Sequence, residues 1–503
     1  MHQISFTEGS EINMFKRVSK KRFIICAAKI LLIVVVFGFT LVMLDKILLL
    51  KSKDGIEQIQ AYYNQPAGSV DALFVGSSHI FCHVNTGVLW DDYGISSFDL
   101  AAAEQPFWNS YYYIREALKT QNPKVIILDI TTPGIRPTDY QPENWLITNT
   151  YGIKYNADRY NAIKVSALDI SFRRLLIPFN STHGKYDELS EDDFMNYSSS
   201  VNFKGFDARE TTVPFEVHDV SGITERCDLT EKEEKYLRLT IEYVKQNNIP
   251  LLLISSPYVV ETVEEQEKYN TIFDIADEYN VPYVDFNLLY DEIGLDFSTD
   301  IAEVLHLNRS GNEKFTRYLG QYLKDNYDLA DHRGDSKYAS WDADALYQRQ
   351  DTGAYHLNQA ASNKADGKYL DLLNNSNYVI YCTIPSGYAG IPDPSLQQYL
   401  NAIGLTEDKL TDNKAFIINS GQCVFESDAS DFKAAIEDGN RRLLFCRSSE
   451  PDSEQRQTLV RTNGSMGYQC ITDYETYEMS QEGISFYVYD IVLDRIIGGY
   501  TIR

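Results

Sequence analysis

Residues 71–79 read Asp-Ala-Leu-Phe-Val-Gly-Ser-Ser-His, an apolar run that ends in a glycine and two serines. Such a run predicts a buried strand, and Gly76 allows the tight turn that follows it. The turn would present the hydroxyl of Ser78 at the carboxyl end of the strand. The segment therefore predicts a nucleophile at the edge of a sheet.

A second segment, residues 303–308, reads Glu-Val-Leu-His-Leu-Asn. Glu303 stands three residues before His306, which is close enough for the carboxylate to orient the imidazole. The imidazole would take the proton of Ser78 and return it to the leaving group. Asp300 is the alternative acid, and a Ser–His dyad without an acid is a third possibility. The leading interpretation is a hydrolase or an acyltransferase.

The chain between these segments alternates strand-like and helical patterns. Apolar runs at 125–128 and 250–254 alternate with amphipathic helical patterns such as 231–246. This alternation predicts a three-layer α/β fold with a mainly parallel sheet, whose ligands bind at the carboxyl ends of the strands. Residues 130–225 break the alternation and are interpreted as an insertion, either over the active site or as a packing cap.

Three blocks, Gly76–His79, Ser97–Pro106 and His306–Gly311, together resemble the SGNH (GDSL-type) hydrolase superfamily. The resemblance covers roughly residues 68–328. Within the superfamily, the chain is most similar to a membrane-anchored branch that includes the D-alanyl-lipoteichoic acid biosynthesis protein and the alginate O-acetylation proteins. The resemblance implies that Glu303 replaces the usual aspartate. It also implies a multi-spanning membrane O-acyltransferase as partner.

An acyl-transfer site needs N–H donors for the developing oxyanion. The backbone N–H of Ser78 is one candidate. The resemblance implies a second donor in the middle block, where Ala103 or Glu104 would act through the backbone in place of a glycine. It also implies an asparagine after the strand at 125–128. Asp129 stands there instead, and an ionised carboxylate cannot donate. Three further residues complete the set of candidate donors: His79, Gln105 and Asn109.

An apolar stretch near the amino terminus, residues 23–44, is long enough to span a bilayer. Five basic residues crowd its amino-terminal flank, so the positive-inside tendency places the short tail in the cytoplasm and the rest outside. We therefore expect a single-pass protein of the cell membrane. A cleaved signal peptide is the competing interpretation, but no small-residue cleavage pattern follows the apolar stretch.

The last part of the chain changes character. A helical pattern at 340–350 precedes short strand-like runs at 378–383, 415–418 and 485–489, which predict a mixed α/β domain. This part resembles the interleukin-like EMT inducer domain, which implies a stem or a glycan-binding module. The expected organisation is a tail at 1–22, an anchor at 23–50, an SGNH hydrolase-like domain at 55–329, a linker at 330–345 and this domain at 346–503.

The charged residues, cysteines and histidines of the chain limit which partners and ligands are expected. With 72 acidic and 46 basic residues, the net charge is −26, which argues against nucleic acid or an anionic lipid surface as the partner of the soluble part. The seven cysteines show no CxxC pair, so a structural zinc site is not expected. Disulfides in the last quarter and buried free thiols are both open. His183 and His218 fit no metal motif, and no cofactor is predicted.

Two functions follow. The first is a membrane-anchored extracytoplasmic esterase or O-acyltransferase that acts on acyl groups of a cell-surface polysaccharide or teichoic-acid-like polymer through an acyl-Ser78 intermediate. The second is a catalytically weak SGNH fold that serves as a glycan-binding or assembly subunit of a cell-envelope acylation system. The altered donor positions favour the second function modestly.

Overall fold

The structure is a computed structural model of the chain. It describes residues 20–48, 54–136, 138–139, 141–167, 172–175, 183–189, 194, 203–388, 390–391, 393–429, 431–438, 441–448, 456–465, 468–478 and 482–503. Within them, the stretch Arg22–Leu44 of the first helix is long and apolar enough to cross a membrane, and none of it is buried.

The helices are given in chain order. They are α1 (Lys20–Leu48), α2 (Ile56–Tyr63), α3 (Ser78–His83), α4 (Thr86–Tyr93), α5 (Phe107–Ala117), α6 (Thr132–Ile135), α7 (Glu143–Thr150), α8 (Ala157–Ser166), α9 (Phe172–Leu175), α10 (Glu231–Gln246), α11 (Val263–Glu278), α12 (Tyr290–Ile293), α13 (Arg309–Asn326), α14 (Ala339–Ser362), α15 (Asp366–Leu372) and α16 (Gln397–Ala402). Short 3-10 turns lie at His183–Glu188, Phe203–Gly205, Phe286–Leu288, Ser336–Tyr338, Pro394–Leu396 and Glu407–Lys409.

The strands of the described residues form four sheets. They are β1 (Ala72–Gly76), β2 (Ser97–Ala101), β3 (Val125–Asp129), β4 (Leu251–Ser255), β5 (Tyr283–Asp285), β6 (Ile301–Glu303), β7 (His306–Leu307), β8 (Tyr378–Thr383), β9 (Ala415–Asn419), β10 (Gln422–Ser427), β11 (Phe432–Asp438), β12 (Arg441–Ser448), β13 (Arg456–Ser465), β14 (Tyr468–Glu478), β15 (Ile484–Asp490) and β16 (Arg495–Ile502).

The first sheet has five parallel strands in the order β2-β1-β3-β4-β5. Strands β1 to β4 are buried throughout, as expected for a sheet with helices on both faces. Two separate cores line the two faces, and these confirm the predicted three-layer α/β class. All five strands point the same way, so their carboxyl ends share one edge.

Local sequence explains the two long helices of this region. Thr230 and Thr262 each begin a helix with a reciprocal capping box, in which the threonine hydroxyl accepts the backbone N–H of a glutamate three residues on. That glutamate accepts the threonine N–H in return, which satisfies two helix-end donors. Both helices then return the chain to the amino end of the next strand.

The carboxyl-terminal part differs from the mixed α/β prediction. One sheet has the order β10-β9-β8-β15-β16 and another the order β11-β12-β13-β14, and all of their pairings are antiparallel. Helices α14 to α16 pack on the first of these sheets. The sequence did not separate parallel from antiparallel pairing here, because short strand-like runs carry no signal of direction.

The stretch 330–345 differs from the predicted linker. Helix α14 begins inside it at Ala339, and Trp341 and Ala345 are buried in the core of the parallel-sheet domain. Farther along the same helix, Leu357 and Ala360 are buried in the core of the carboxyl-terminal sheet. One helix therefore belongs to both cores.

The cysteines that the structure describes do not form disulfides. The six cysteines whose side chains are described are all free thiols: Cys26, Cys82, Cys227, Cys382, Cys423 and Cys446. The side chain of Cys470 lies outside the described residues. Burial raises the pKa of the Cys82 and Cys382 thiols, so neither is poised as a thiolate.

Candidate active site

Ser78 stands at the carboxyl end of β1, where the strand turns directly into α3. Gly76 makes the turn possible, because a Cβ atom on it would lie 2.7 Å from the Cβ of Asp129 on the neighbouring strand. Ser77 caps the helix, since its hydroxyl accepts the N–H of His79 at 3.3 Å. Ser78 is the first helical residue, so its own N–H has no acceptor within the helix.

His306 lies on a short hairpin formed by β6 and β7, in which it pairs with Glu303 across the two strands. Its Nε2 is 2.7 Å from the Oγ of Ser78. Its Nδ1 is hydrogen-bonded to Oε1 of Glu303. A carboxylate only accepts, so Nδ1 carries the proton and Nε2 is left to accept the serine proton. The structure thus brings together Ser78, His306 and Glu303, which are distant in sequence.

The carboxylate partner is the more exposed member of the array. The side chain of Glu303 is 54% exposed, whereas that of His306 is 10% exposed. The hydrogen bond to His306 lowers the pKa of Glu303, which keeps this carboxyl ionised. Asp300, the alternative acid, is instead bound by the Nζ of Lys314 at 2.6 Å and by the N–H of Asp296 at 2.8 Å.

Asn308 holds the loop that follows the histidine. Its Oδ1 caps α13 by accepting the N–H of Gly311 at 3.1 Å, and its Nδ2 donates to the carbonyl of Thr299 at 2.8 Å. Gly311 passes so close to Asp300 that a Cβ atom on it would collide with the carbonyl oxygen of that residue. Asn308 therefore has a structural role, and it fixes where the hairpin ends.

The turn after β2 contains three of the predicted oxyanion residues. The N–H of Ala103 is already used, because it donates to the carbonyl of Asp54 at 2.6 Å. Glu104 adopts a left-handed backbone with φ +48°, and its N–H has no acceptor among the described residues. Gln105 bends over α5, where its Nε2 donates to Ser110 at 3.0 Å. Of the three, Glu104 is the one with an available backbone donor.

The side chain of Asn109 is committed elsewhere. Its Oδ1 accepts from the hydroxyl of Ser166 at 3.0 Å, and its Nδ2 lies 3.5 Å from Oε1 of Gln141. Ser166 and Gln141 both lie in the predicted insertion, residues 130–225, and not in the serine turn. The structure therefore does not bring Asn109 to the catalytic array as an oxyanion donor.

His79 is held beside the serine turn by hydrogen bonds to its Nδ1. Its Nδ1 lies 3.1 Å from Oγ1 of Thr131, and that hydroxyl donates its single proton to Asp129 at 2.5 Å. The same Nδ1 lies 3.1 Å from Oγ of Ser77, so two hydroxyl groups hold the ring at this nitrogen. Burial, and secondarily the nearby His306, lowers the pKa of His79, so the ring stays neutral.

Asp129 occupies the place where the resemblance implies an asparagine. Its carboxylate accepts from the N–H of Thr131 at 3.3 Å and from the N–H of Ser256 at 3.2 Å. Burial raises the pKa of Asp129, although these hydrogen bonds oppose the increase. The side chain thus ties the ends of β3 and β4 together, and it does not replace the missing amide donor.

The sequence-based prediction missed His83, which holds the β6–β7 hairpin through a hydrogen bond to its backbone. His83 lies on α3 four residues after His79, and its Nε2 accepts the N–H of Leu307 at 3.1 Å. Its ring contacts that of His79 at a centroid distance of 5.0 Å and that of His306 at 5.9 Å. The i, i+4 spacing of the two histidines on the serine helix was a signal available in the sequence.

The structure does not point to a metal site among the residues it describes. No group of three histidine, cysteine or acidic side chains there has a geometry that could hold an ion. His218 is exposed, and the side chain of His183 lies outside the described residues.

The fold and the site define a three-layer α/β protein with a Ser–His–Glu array at the carboxyl edge of its parallel sheet. No protein-family model matches the chain, and no curated protein matches it. Among solved structures, it is similar to a protein of Desulfitobacterium hafniense DCB-2 described as a lipolytic protein of the G-D-S-L family. That match has 11% identity and a TM-score of 0.28, and covers 50% of this chain and 98% of the other.

Two further solved structures are similar. A protein of Bacteroides fragilis NCTC 9343 described as an acylhydrolase has 10% identity and a TM-score of 0.29, with 53% of this chain and 93% of the other covered. A catalytic mutant of an acetylxylan esterase from Geobacillus stearothermophilus has 12% identity and a TM-score of 0.27, with coverages of 52% and 95%.

Proposed function

We propose that this chain is a serine esterase or O-acyltransferase of the SGNH type. The observation that carries the proposal is the 2.7 Å contact between Oγ of Ser78 and Nε2 of His306, with Glu303 hydrogen-bonded to the other ring nitrogen. The two segments are 228 residues apart in sequence. Their meeting places a nucleophile beside an oriented general base, which is the arrangement that nucleophilic acyl transfer requires.

The reaction begins when Oγ of Ser78 attacks the carbonyl carbon of an ester. His306 takes the serine proton and gives it to the departing alkoxide as the ester C–O bond breaks. Glu303 stabilises the imidazolium that forms in between. Water or a hydroxyl of an acceptor then attacks the acyl-Ser78 intermediate, His306 takes its proton, and the serine is regenerated when that proton returns to Oγ.

The backbone N–H groups of Ser78 and Glu104 are the proposed oxyanion donors. Both lack an acceptor among the described residues, and both lie at the ends of neighbouring strands, since Gly76 pairs with Ala101. Adjacent strands are about 4.8 Å apart, which is a suitable separation for two donors around one oxygen. Glu104 adopts the left-handed backbone conformation that a glycine would adopt at this position, and its N–H can therefore point in the same direction.

The substrate proposed is an acyl ester on a cell-surface polysaccharide or a teichoic-acid-like polymer. Helix α1 and its basic flank support a single-pass anchor with the site on the extracytoplasmic side. The resemblance to the D-alanylation and alginate-acetylation proteins supports a membrane-bound O-acyltransferase as partner. A net charge of −26 favours the polysaccharide over an anionic teichoic-acid-like polymer as the direct contact of the soluble part.

The carboxyl-terminal part is proposed to be a stem or a glycan-binding module that resembles the interleukin-like EMT inducer domain. Its antiparallel sheet β10-β9-β8-β15-β16 is covered on one face by helices and on the other by side chains of β12. A supporting role beside the parallel-sheet domain fits this arrangement.

One observation favours a second function, that of a weakly active assembly subunit. Asp129 stands where an asparagine would add a side-chain donor, and its oxygens are occupied by Thr131 and Ser256. Loss of one oxyanion donor costs roughly 10²–10³ in kcat. A slow enzyme that mainly binds or assembles would tolerate that loss.

Labelling with a fluorophosphonate probe tests the proposal. The full chain in detergent is expected to react, and Ser78→Ala and His306→Ala are expected to abolish labelling. Ser221→Ala, at an exposed serine that is not part of the array, is the matched control and should label like the wild type. An unlabelled wild-type protein would overturn the enzymatic proposal and favour the assembly subunit.

A further inference from the structure

The segment that follows helix α1 contacts the turn after β2. The carbonyl of Asp54 accepts the N–H of Ala103 at 2.6 Å. Gly55 lies so close to this turn that a Cβ atom on it would be 2.5 Å from the Cβ of Ala102 and 3.1 Å from Cγ2 of Thr148. The φ of Gly55 is +153°. Both space and backbone conformation therefore require glycine at this position.

The contacted turn is the one that carries the candidate oxyanion donor Glu104. Its other N–H groups are paired, because Ala102 donates to Gly76 and Gln105 donates to Ala102, each at 3.2 Å. Asp54 holds the N–H of Ala103, and the carbonyl of Ala103, in the next peptide plane, accepts from Nδ2 of Asn149 at 2.9 Å. That next plane carries the N–H of Glu104. The hydrogen bond that Asp54 accepts from Ala103 thus lies one peptide away from the proposed donor.

The side chain of Asp54 also approaches Arg209, whose backbone pairs with the segment that leaves the His306 hairpin. Its Oδ1 is 3.8 Å from Nη2 of Arg209, and the backbone carbonyl of Arg209 accepts the N–H of Arg309 at 3.1 Å. Arg209 also forms an isolated parallel β-bridge with Asn308. Asp54 therefore contacts both the proposed oxyanion turn and Arg209, whose backbone pairs with the segment after His306.

This contact point is close to the apolar helix in sequence. Asp54 is six residues after Leu48, where α1 ends. Six residues span at most about 20 Å even when fully extended. Because β1 and β2 are neighbouring strands, Ser78 and the contact with Asp54 lie at the same edge of the sheet. The site is thus connected to the helix by a short covalent path.

We infer that Asp54 and Gly55 are positioning residues of the catalytic site. They hold the turn at 102–105 in the conformation that directs the N–H of Glu104 to the oxyanion, so the site is built in part from the chain that leaves the membrane helix. The inference rests on the proposed function of Ser78. It predicts that disturbing Gly55 slows acyl transfer without weakening ester binding, because the donor acts on charge that develops in the transition state.

The test compares Gly55→Ala with wild type in the full chain in detergent, with 4-nitrophenyl acetate as substrate. We expect kcat and the rate of fluorophosphonate labelling to fall by roughly 10- to 100-fold, with KM unchanged. Gly68→Ala is the matched control. Gly68 has φ +61°, but a Cβ atom added to it would meet no atom within 4 Å, so the substitution introduces backbone strain without the contact. Its unfolding temperature should fall while kcat stays at the wild-type value.

A second variant separates positioning from misfolding. Ala102→Gly removes the atom nearest to the new methyl group, so Gly55→Ala/Ala102→Gly should recover part of the lost kcat. Wild-type kcat in a folded Gly55→Ala protein, or an equal loss of kcat in Gly68→Ala, would overturn the inference and leave the proposed function intact. Absence of labelling in the wild type would instead overturn both.

Discussion

Glu303 and Asp300 are two acids near one histidine, and they differ in what they bind. Glu303 accepts from Nδ1 of His306, whereas Asp300 pairs with Lys314. Glu303→Gln can present an N–H to the ring and so favours the wrong tautomer, which should lower kcat by about 10²-fold. Asp300→Asn should leave kcat unchanged and lower the unfolding temperature. Ester hydrolysis and thermal unfolding of both variants check this, and an equal loss of kcat would contradict it.

Asp99 is a buried residue of β2 whose two carboxylate oxygens have no hydrogen-bond partner among the described residues. Burial raises the pKa of Asp99 well above its usual range. A raised pKa in the folded state means that the stability from this group is complete below about pH 3.9 and is lost as the pH rises towards the folded-state pKa. Asp99→Asn removes this titration.

We therefore expect Asp99→Asn to raise the free energy of unfolding at pH 7 to 8 and to have little effect near pH 4. Chemical unfolding of both proteins across this range measures the difference. The same substitution at exposed Asp277 serves as the control. A stability difference that grows as the pH falls would show that the sign is wrong.

At the scale of elements, the site depends on how α3 supports the β6–β7 hairpin. Burial lowers the pKa of His83, so its ring stays neutral and continues to accept the N–H of Leu307. His83→Phe would leave that N–H without an acceptor, at a cost of roughly 1–3 kcal/mol. We expect about a tenfold loss of kcat with unchanged KM. His83→Gln keeps an acceptor and should recover part of the activity; equal kcat in both variants would refute the positioning role.

The sequence predicted the elements whose signals are local. The helix at 231–246 was predicted with its observed bounds, because its capping residue and its amphipathic period lie within the segment itself. The strand that leads to Ser78 was predicted for the same reason. The contact of Ala103 with Asp54 was not predictable, since it depends on where a distant segment lies in space. That contact decides which backbone donor is free.

At the scale of the molecule, α14 joins two bodies that the sequence separated by a linker. Trp341 packs in the core of the parallel-sheet domain, and its Nε1 donates to the carbonyl of Ser97 at 3.1 Å. Leu357 packs in the core of the carboxyl-terminal sheet. The polar residues around 330–337 suggested a linker, but the burial of one tryptophan and one leucine on the same helix couples the two cores.

A buried ion pair anchors α14 to the parallel-sheet domain. Nζ of Lys204 is 3.0 Å from Oδ2 of Asp344 and 4.1 Å from the ring of Trp341. Burial lowers the pKa of Lys204, and Asp344 opposes that change. Removing one partner leaves the other charge buried, so Asp344→Ala should cost roughly 3–5 kcal/mol of unfolding free energy.

The double variant Lys204→Met/Asp344→Leu removes both charges and keeps the apolar volume, so it should recover most of that stability. Urea unfolding of the full chain in detergent, followed by tryptophan fluorescence, compares the two variants. Because α14 contributes to both cores, the wild type should unfold in one transition, whereas Asp344→Ala should separate the two bodies into two transitions. A single, unshifted transition in Asp344→Ala would show that this ion pair does not hold the molecule together.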